Sequence, residues 1–149
     1  MAMDELVKVF MEESEDEIRE LETGLIKLEE ESGDEDTINR VFRAAHTIKG
    51  SAGLVGFENV SNYTHTIENI LDRIRKKELS VTKKLITTLL ESVDFLKRMI
   101  AAGSEGEEID DHEVEKSTGL LKRFAGVAPG TGEQPVGQIR TADKTGDKV

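Results

Sequence analysis

The sequence contains no cysteine, and both of its prolines lie beyond residue 128. Without cysteine the chain forms neither disulfides nor thiolate metal sites, an absence that says nothing about its compartment. Aromatic residues make up only 4% of the chain, and segments that alternate polar and apolar residues are scarce. Because β-strands favour aromatic residues and alternating patterns, these shortages predict an all-α domain.

Basic runs and long apolar runs are also missing. The stretch MAMDELVKVFMEES at the amino terminus is acidic and has no basic leader, so we expect neither a signal peptide nor a membrane span. Charged residues make up 34% of the chain, and the net charge is −11. Such a surface repels nucleic acid and anionic lipid. We therefore expect a cytoplasmic protein with no nucleic-acid partner and no membrane insertion.

Apolar residues recur at spacings of three and four in five segments, which predicts five amphipathic helices. The predicted core faces are Leu6, Phe10, Ile18, Leu21, Leu25 and Leu28 in the first helix, Ile38, Val41, Ala45, Ile48, Ala52 and Val55 in the second, Val60, Tyr63, Ile67, Ile70, Leu71 and Ile74 in the third, Leu85, Ile86, Leu89, Leu90, Val93, Leu96 and Ile100 in the fourth, and Val114, Leu120, Leu121 and Phe124 in the fifth.

Polar caps, glycines and basic clusters set the expected helix ends. They are Ser32 and Gly33 after the first helix, Asp34 or Asp36 before the second, Asn59 and the cluster Arg75, Lys76 and Lys77 around the third, Thr82 and Gly103 around the fourth, and Asp110, with Glu113 at capping-box spacing, before a fifth helix from about Asp111 to Ala125.

Four long helices with short connections predict an antiparallel four-helix bundle, to which the fifth, carboxyl-terminal helix is added. A chain of 149 residues suits one such domain with a tail. We assign residues 1–125 to the bundle. Residues 126–149 are rich in glycine, threonine, proline and lysine and poor in apolar residues, so we expect a flexible linker or tail there.

The second helix carries a histidine followed by glycines, in the stretch FRAAHTIKGSAGLVGF. On a helical wheel His46 lies opposite the apolar face, on one exposed strip with Arg43, Lys49, Gly50 and Gly53. Glycine inside a helix costs about 1 kcal/mol relative to alanine. Tight packing against a neighbouring helix is one explanation, but the apolar face lies on the other side. The wheel favours clearance for another protein's approach to the ring.

A neutral imidazole on a rigid helix has a free ring nitrogen, which suits it to nucleophilic attack on phosphorus. Lys49, one turn after His46, would offset the charge of a phosphoryl group. A lone helical histidine is more often just a solvated side chain. The glycines of GSAGLVG have neither the spacing nor the strand context of a nucleotide-binding loop, so no ATP site is expected.

The stretch AAHTIKGSAG closely resembles the H-x-x-K-G motif of histidine phosphotransfer domains. With THTIENILDRIR, it is similar to the amino-terminal phosphotransfer domain of chemotaxis histidine kinases of the CheA type, over roughly residues 4–125. The resemblance implies that His46 is the phosphoacceptor and Lys49 its basic neighbour. It further implies that Glu68 accepts a hydrogen bond from Nδ1–H of His46, which orients the ring, and that His65 has a supporting role.

The resemblance also implies partners. The ATP-binding kinase domain of the same or a partner chain would phosphorylate Nε2 of His46, and receiver domains of CheY-like or CheB-like response regulators would take the group onto an aspartate. ATP and Mg²⁺ would be bound by those partner domains, so this domain needs no cofactor of its own. The chain is then the phosphoacceptor part of a histidine kinase.

Three alternatives remain open from the residues alone. The chain is also consistent with a free-standing phosphotransfer protein or a purely structural bundle. A metal site of His46, His65 and Glu68 is a further hypothesis, although di-iron bundles carry Glu-x-x-His on each of two helices and this chain has one His-x-x-Glu. By pattern alone, His65 and Glu68 lie on a solvated face of the third helix.

Overall fold

The computed structural model describes residues 3–125, which form five α-helices and no strand. The helices are α1 (Met3–Glu30), α2 (Glu35–Leu54), α3 (Glu58–Arg75), α4 (Lys83–Ser104) and α5 (Asp111–Ala125). The all-α prediction is confirmed. The predicted tail lies outside the described residues, so its assignment as a linker stays a prediction.

The first four helices form an antiparallel bundle in which each helix packs against two others. α1 contacts α2 and α4, and α3 contacts the same two helices from the opposite side. α5 packs outside this ring, against α3 and α4. The most extensive contact joins α2 to α3. The stretch that carries His46 therefore lies on one of the two most tightly paired helices.

The predicted core faces are largely correct, and the exceptions lie at the edges of the bundle. Leu6 is 37% exposed, because α1 is 28 residues long and its first turns extend past the 20-residue α2. Of the four predicted core residues of α5, only Leu121 is fully buried, and Leu120 is 45% exposed. This difference follows from the position of α5, which is covered by neighbours on one side only.

Two of the expected caps are confirmed, whereas Asp34 precedes α2 without a side-chain cap hydrogen bond and Phe57, not Asn59, precedes α3. The side chain of Thr82 accepts a hydrogen bond from the backbone N–H of Leu85 at 3.1 Å, and Asp110 accepts from the backbone N–H of Glu113 at 3.3 Å. Gly103 does not stop α4, which continues to Ser104. The residue with the left-handed conformation that follows the helix is Gly106, at φ +75°.

Gly103 has a packing role instead. A Cβ atom added there would lie 2.9 Å from Cε2 of Phe57, whose ring packs edge-on against Phe10 of α1. Gly56, just before that phenylalanine, has φ +82° and ends α2.

Within residues 3–125 no helix is long and apolar enough to cross a membrane.

Candidate functional site

His46 lies on the exposed side of α2, where the wheel placed it. Its side chain is 63% exposed, whereas Ala45 and Ile48 on either side are buried in the core. A Cβ atom added to Gly50 would meet nothing within 4 Å, and one added to Gly53 would meet only the hydroxyl oxygen of Ser61, at 3.7 Å. Tight helix packing therefore does not explain Gly50, and the space beyond the imidazole is open.

The ring of His46 is held from the neighbouring helix. Oε2 of Glu68 on α3 lies 2.5 Å from Nδ1 of His46, and Oε1 of the same carboxylate accepts a hydrogen bond from Nζ of Lys49 at 2.7 Å. Because a carboxylate only accepts, the neutral ring donates its Nδ1–H. The proton is then absent from Nε2, and that nitrogen keeps its lone pair on an exposed ring.

Glu68 is buried, and the solvated position that the pattern alone gave it is wrong. Only 9% of its side chain is exposed. α2 covers this side of α3, and a wheel drawn for one helix cannot show the helix that packs on it. His65, one turn earlier, is exposed as expected.

Two opposing effects set the pKa of Glu68. Burial alone would raise this pKa, but the hydrogen bonds from Lys49 and His46 outweigh burial and hold the pKa below its ordinary value. The carboxylate is therefore ionised at neutral pH. Because its pKa is lowered on folding, its contribution to stability is complete above the unfolded-state pKa of about 4.3 and is lost as pH falls through the folded-state value.

Lys49 is partly buried, and its ammonium group lies against Glu68. Its side chain is 27% exposed, and the backbone carbonyl of Lys49 accepts a hydrogen bond from the Ser61 hydroxyl at 3.0 Å. The second contact ties α3 to α2 one turn beyond the histidine. Lys49 therefore neutralises the buried carboxylate, and its predicted action on a phosphoryl group stays a prediction.

His65 is not brought into this network. Within residues 3–125 no hydrogen bond or ion pair includes its side chain. The same part of the chain contains no group of three or more histidine, aspartate and glutamate side chains that could hold a metal ion. The hypothesis of a metal site formed by His46, His65 and Glu68 thus finds no support in the geometry. The supporting role of His65 stays a prediction.

His46 has an aromatic neighbour that was not predicted from the sequence. The ring of Phe42, one turn earlier on α2, is within 16° of parallel to the imidazole, with 6.3 Å between the ring centres. The guanidinium group of Arg75 from α3 lies 4.1 Å from the centre of the Phe42 ring. The spacing of four residues between Phe42 and His46 was the available signal, since such pairs are neighbours on a helix.

Comparison with known proteins assigns the chain to a family. A family model described as the Hpt domain matches residues 5–102, about two thirds of the chain. The chain belongs to the Hpt domain family. The match runs from the first turn of α1 into the last turn of α4, and it includes His46, Lys49 and Glu68.

The relatives of this Hpt domain include chemotaxis proteins. It is 34% identical over 145 residues to the chemotaxis protein CheA of Rhizobium meliloti, an alignment that covers 97% of this chain and 18% of that protein. It is also 34% identical over 132 residues to CheA of Salmonella typhimurium, with 87% of this chain and 20% of that protein covered. The chain thus spans about a fifth or less of the curated relatives it matches.

Solved structures share the fold. A solution structure of the histidine phosphotransfer domain of CheA is 35% identical, with a TM-score of 0.73 over 83% of this chain and 93% of that one. The CheA phosphotransferase domain from Thermotoga maritima is 37% identical, with a TM-score of 0.64 over 68% and 96% of the two chains. The phosphorylated P1 domain of CheA3 from R. sphaeroides, in complex with CheY6, has the same fold, with a TM-score of 0.74 over 83% and 97% of the two chains at 20% identity.

The open space at Gly50 predicts that Gly50→Ala stabilises the domain. An alanine at this exposed helical position gains about 0.5–1 kcal/mol in helix propensity and meets no neighbour. The matched control is Gly24→Ala on α1, where an added Cβ would lie 2.3 Å from Cγ1 of the buried Val41. Overpacking there costs about 1–3 kcal/mol and outweighs the gain in propensity.

Urea denaturation of both variants measures these effects. We expect the free energy of unfolding to rise for Gly50→Ala and to fall for Gly24→Ala. A loss of stability in Gly50→Ala would mean that this glycine serves the fold, and it would remove the reason to assign it to partner clearance.

Proposed function

We propose that this Hpt domain is the phosphohistidine carrier of a cytoplasmic, chemotaxis-type two-component phosphorelay. His46 accepts a phosphoryl group from the ATP-binding domain of a CheA-type histidine kinase and passes it to an aspartate of a response-regulator receiver domain. The observation that carries this proposal is the 2.5 Å contact between Nδ1 of the exposed His46 and the ionised Glu68, which leaves Nε2 as the nucleophile.

In the first step the Nε2 lone pair attacks the γ-phosphorus of ATP. The nitrogen–phosphorus bond forms, the bond from phosphorus to the bridging oxygen breaks, and the electron pair leaves with ADP. The ring is now substituted at Nε2, and its Nδ1–H remains hydrogen-bonded to Glu68. Because positive charge develops on the imidazole, the adjacent carboxylate stabilises the transition state more than the starting state.

In the second step a carboxylate oxygen of the receiver's aspartate attacks the same phosphorus. The nitrogen–phosphorus bond breaks, and its electron pair returns to Nε2. No proton has to enter or leave at Nε2 in either step, so the ring ends in the tautomer in which it began. This reversibility suits a carrier, in which the protein contributes alignment and electrostatics to phosphoryl transfer.

The exposed strip supports two successive partners. An ATP-binding domain and then a receiver must each bring a reactive centre to Nε2, and the open space beside Gly50 and Gly53 gives their surfaces room. Receiver docking is also suggested by the fold shared with the R. sphaeroides P1 domain that is seen in complex with CheY6. ATP and Mg²⁺ are then held by the partner domains.

Two further residues have proposed roles at the site. Lys49 keeps Glu68 ionised and adds positive charge next to the incoming phosphoryl group. His65 is exposed one turn before Glu68, where a docked partner would meet it. Identity to CheA proteins over most of this chain favours a segment of a kinase over a free-standing carrier.

Replacement of His46 tests the phosphoacceptor assignment. The chain is incubated with ³²P-labelled ATP and a separately made ATP-binding domain of a CheA-type kinase. We expect an acid-labile, base-stable phosphoprotein, and no label in His46→Gln, because the glutamine side chain has no nucleophilic ring nitrogen. His112→Gln on α5 is the matched control and should be labelled normally. A labelled His46→Gln protein would contradict the assignment.

Replacement of Glu68 tests its orienting role. In Glu68→Gln one of the two oxygens that face Lys49 and His46 becomes an NH2 donor, and the amide provides no charge for the developing imidazolium. We expect phosphorylation to slow about 10- to 100-fold, which corresponds to the loss of one charged hydrogen bond. ¹⁵N NMR should show the His46 tautomer shift from Nδ1–H towards Nε2–H.

The control for Glu68→Gln is Glu20→Gln, which removes an exposed carboxylate that pairs with Arg40 across α1 and α2. This variant should retain the wild-type rate. An unchanged rate and tautomer in Glu68→Gln would show that the hydrogen bond has no part in the reaction.

A further inference from the structure

A layer of three side chains lies next to the phosphoacceptor and has no part in the mechanism above. The ring of Phe42 is nearly parallel to that of His46, and the guanidinium of Arg75 lies over Phe42. Arg75 is itself held by Asp72, whose carboxylate accepts a hydrogen bond at 2.5 Å. A chain of contacts therefore runs from the last turns of α3 to the imidazole on α2.

The imidazole needs more than one point of attachment to react efficiently. The hydrogen bond to Glu68 fixes Nδ1, but the torsion about the Cβ–Cγ bond of histidine is intrinsically broad, and this side chain is 63% exposed. The Nε2 lone pair lies in the plane of the ring. Any rocking of that plane takes the lone pair off the line of attack on phosphorus, and small misalignments lower transfer rates strongly.

We propose that Phe42, held in place by Arg75, is a positioning residue that limits rocking of the His46 ring. The flat phenyl ring restricts the imidazole plane while Glu68 fixes its direction in that plane. The two supports act on different degrees of freedom, so together they aim Nε2 at an approaching phosphorus. This inference rests on the proposed phosphoacceptor role of His46.

Arg75 acts through its shape more than through its charge. Its guanidinium pairs with Asp72 at 2.5 Å, a carboxylate shared with Lys76 at 2.9 Å, and lies 4.1 Å from the centre of the Phe42 ring. A planar guanidinium covers an aromatic face better than a compact ammonium does. Arg75→Lys therefore keeps the positive charge and removes the flat guanidinium group from the Phe42 ring.

Two other roles for Phe42 make different predictions. A role confined to the core, against which Phe42 packs, predicts lower stability but an unchanged rate for the folded protein. A role as a contact for the kinase domain predicts a higher KM with unchanged kcat. Positioning of the ring predicts a lower kcat with unchanged KM.

The experiment measures kcat and KM for phosphorylation by the separately made kinase domain, at a temperature where melting curves show every variant folded. For Phe42→Leu we expect kcat to fall about 3- to 10-fold and KM to stay unchanged. A fall of this size corresponds to the free energy that an aromatic pair typically contributes. Phe42→Tyr keeps a flat ring and should recover most of the loss. Arg75→Lys should lower kcat about 2- to 5-fold.

The matched control lies elsewhere in the bundle. Arg98 packs over Phe95 at 5.3 Å from its ring centre, on α4 and away from His46, so Arg98→Lys should leave kcat unchanged. The side chain of Arg75 is 41% exposed, so we expect Arg75→Lys to fold. Its kcat can then be measured even if Phe42→Leu does not fold.

The results separate this inference from the proposed function. Wild-type kcat in both Phe42→Leu and Arg75→Lys, or a change in KM alone, overturns the positioning role. If His46→Gln is still labelled, the proposed function fails first. If that variant is unlabelled while Phe42→Leu reacts at the wild-type rate, only the positioning role fails.

Discussion

The chemistry proposed for this Hpt domain depends on one carboxylate that is buried and yet ionised. Glu68 lies between α2 and α3 and binds His46 with one oxygen and Lys49 with the other. Burial raises the pKa of this carboxyl, but the hydrogen bonds from Lys49 and His46 lower it and outweigh burial. The orientation of the His46 ring therefore depends on a three-residue arrangement.

The bundle supplies the rigidity that this arrangement needs. α3 is packed by α2 on the side that carries Glu68, and by α4 and α5 on other sides. The hydroxyl groups of Tyr63 and Ser117 lie 2.5 Å apart and join α3 to α5. Arg73 near the end of α3 donates to the backbone carbonyl of Phe124 at 3.4 Å. Because α3 is fixed from several directions, its carboxylate presents a defined position to the histidine on α2.

Much of the fold followed from the spacing of apolar residues, because the core of a helical bundle imposes that spacing directly. Thr82 and Asp110 also predicted where α4 and α5 begin, since capping is a local interaction. Leu6 and Leu120 were placed in the core wrongly because their exposure depends on where a helix projects past its neighbours or lies outside the ring. Gly24 gave no signal at all, as its close approach to α2 arises only when the helices pack.

The residues of the site also fall into two groups, those that the sequence of one helix predicts and those that depend on how helices pack. The exposed strip of His46 and Gly50 could be read from one helix, because every residue in it belongs to α2. Glu68 was identified only through resemblance to a family, and the wheel of α3 put it in solvent. Arg75 could not be found from the sequence, because its contact with Phe42 depends on how α2 and α3 pair.

The position of the phosphoryl group on the ring is the sharpest test of the contact between Glu68 and His46. Long-range ¹H–¹⁵N and ¹H–³¹P NMR correlations of the phosphorylated chain identify which imidazole nitrogen is bonded to phosphorus. Because Glu68 occupies Nδ1, we expect phosphorylation at Nε2 with the Nδ1 proton retained in its hydrogen bond. A phosphoryl group on Nδ1 would contradict this expectation, since that product cannot form while the carboxylate holds the ring as the structure shows.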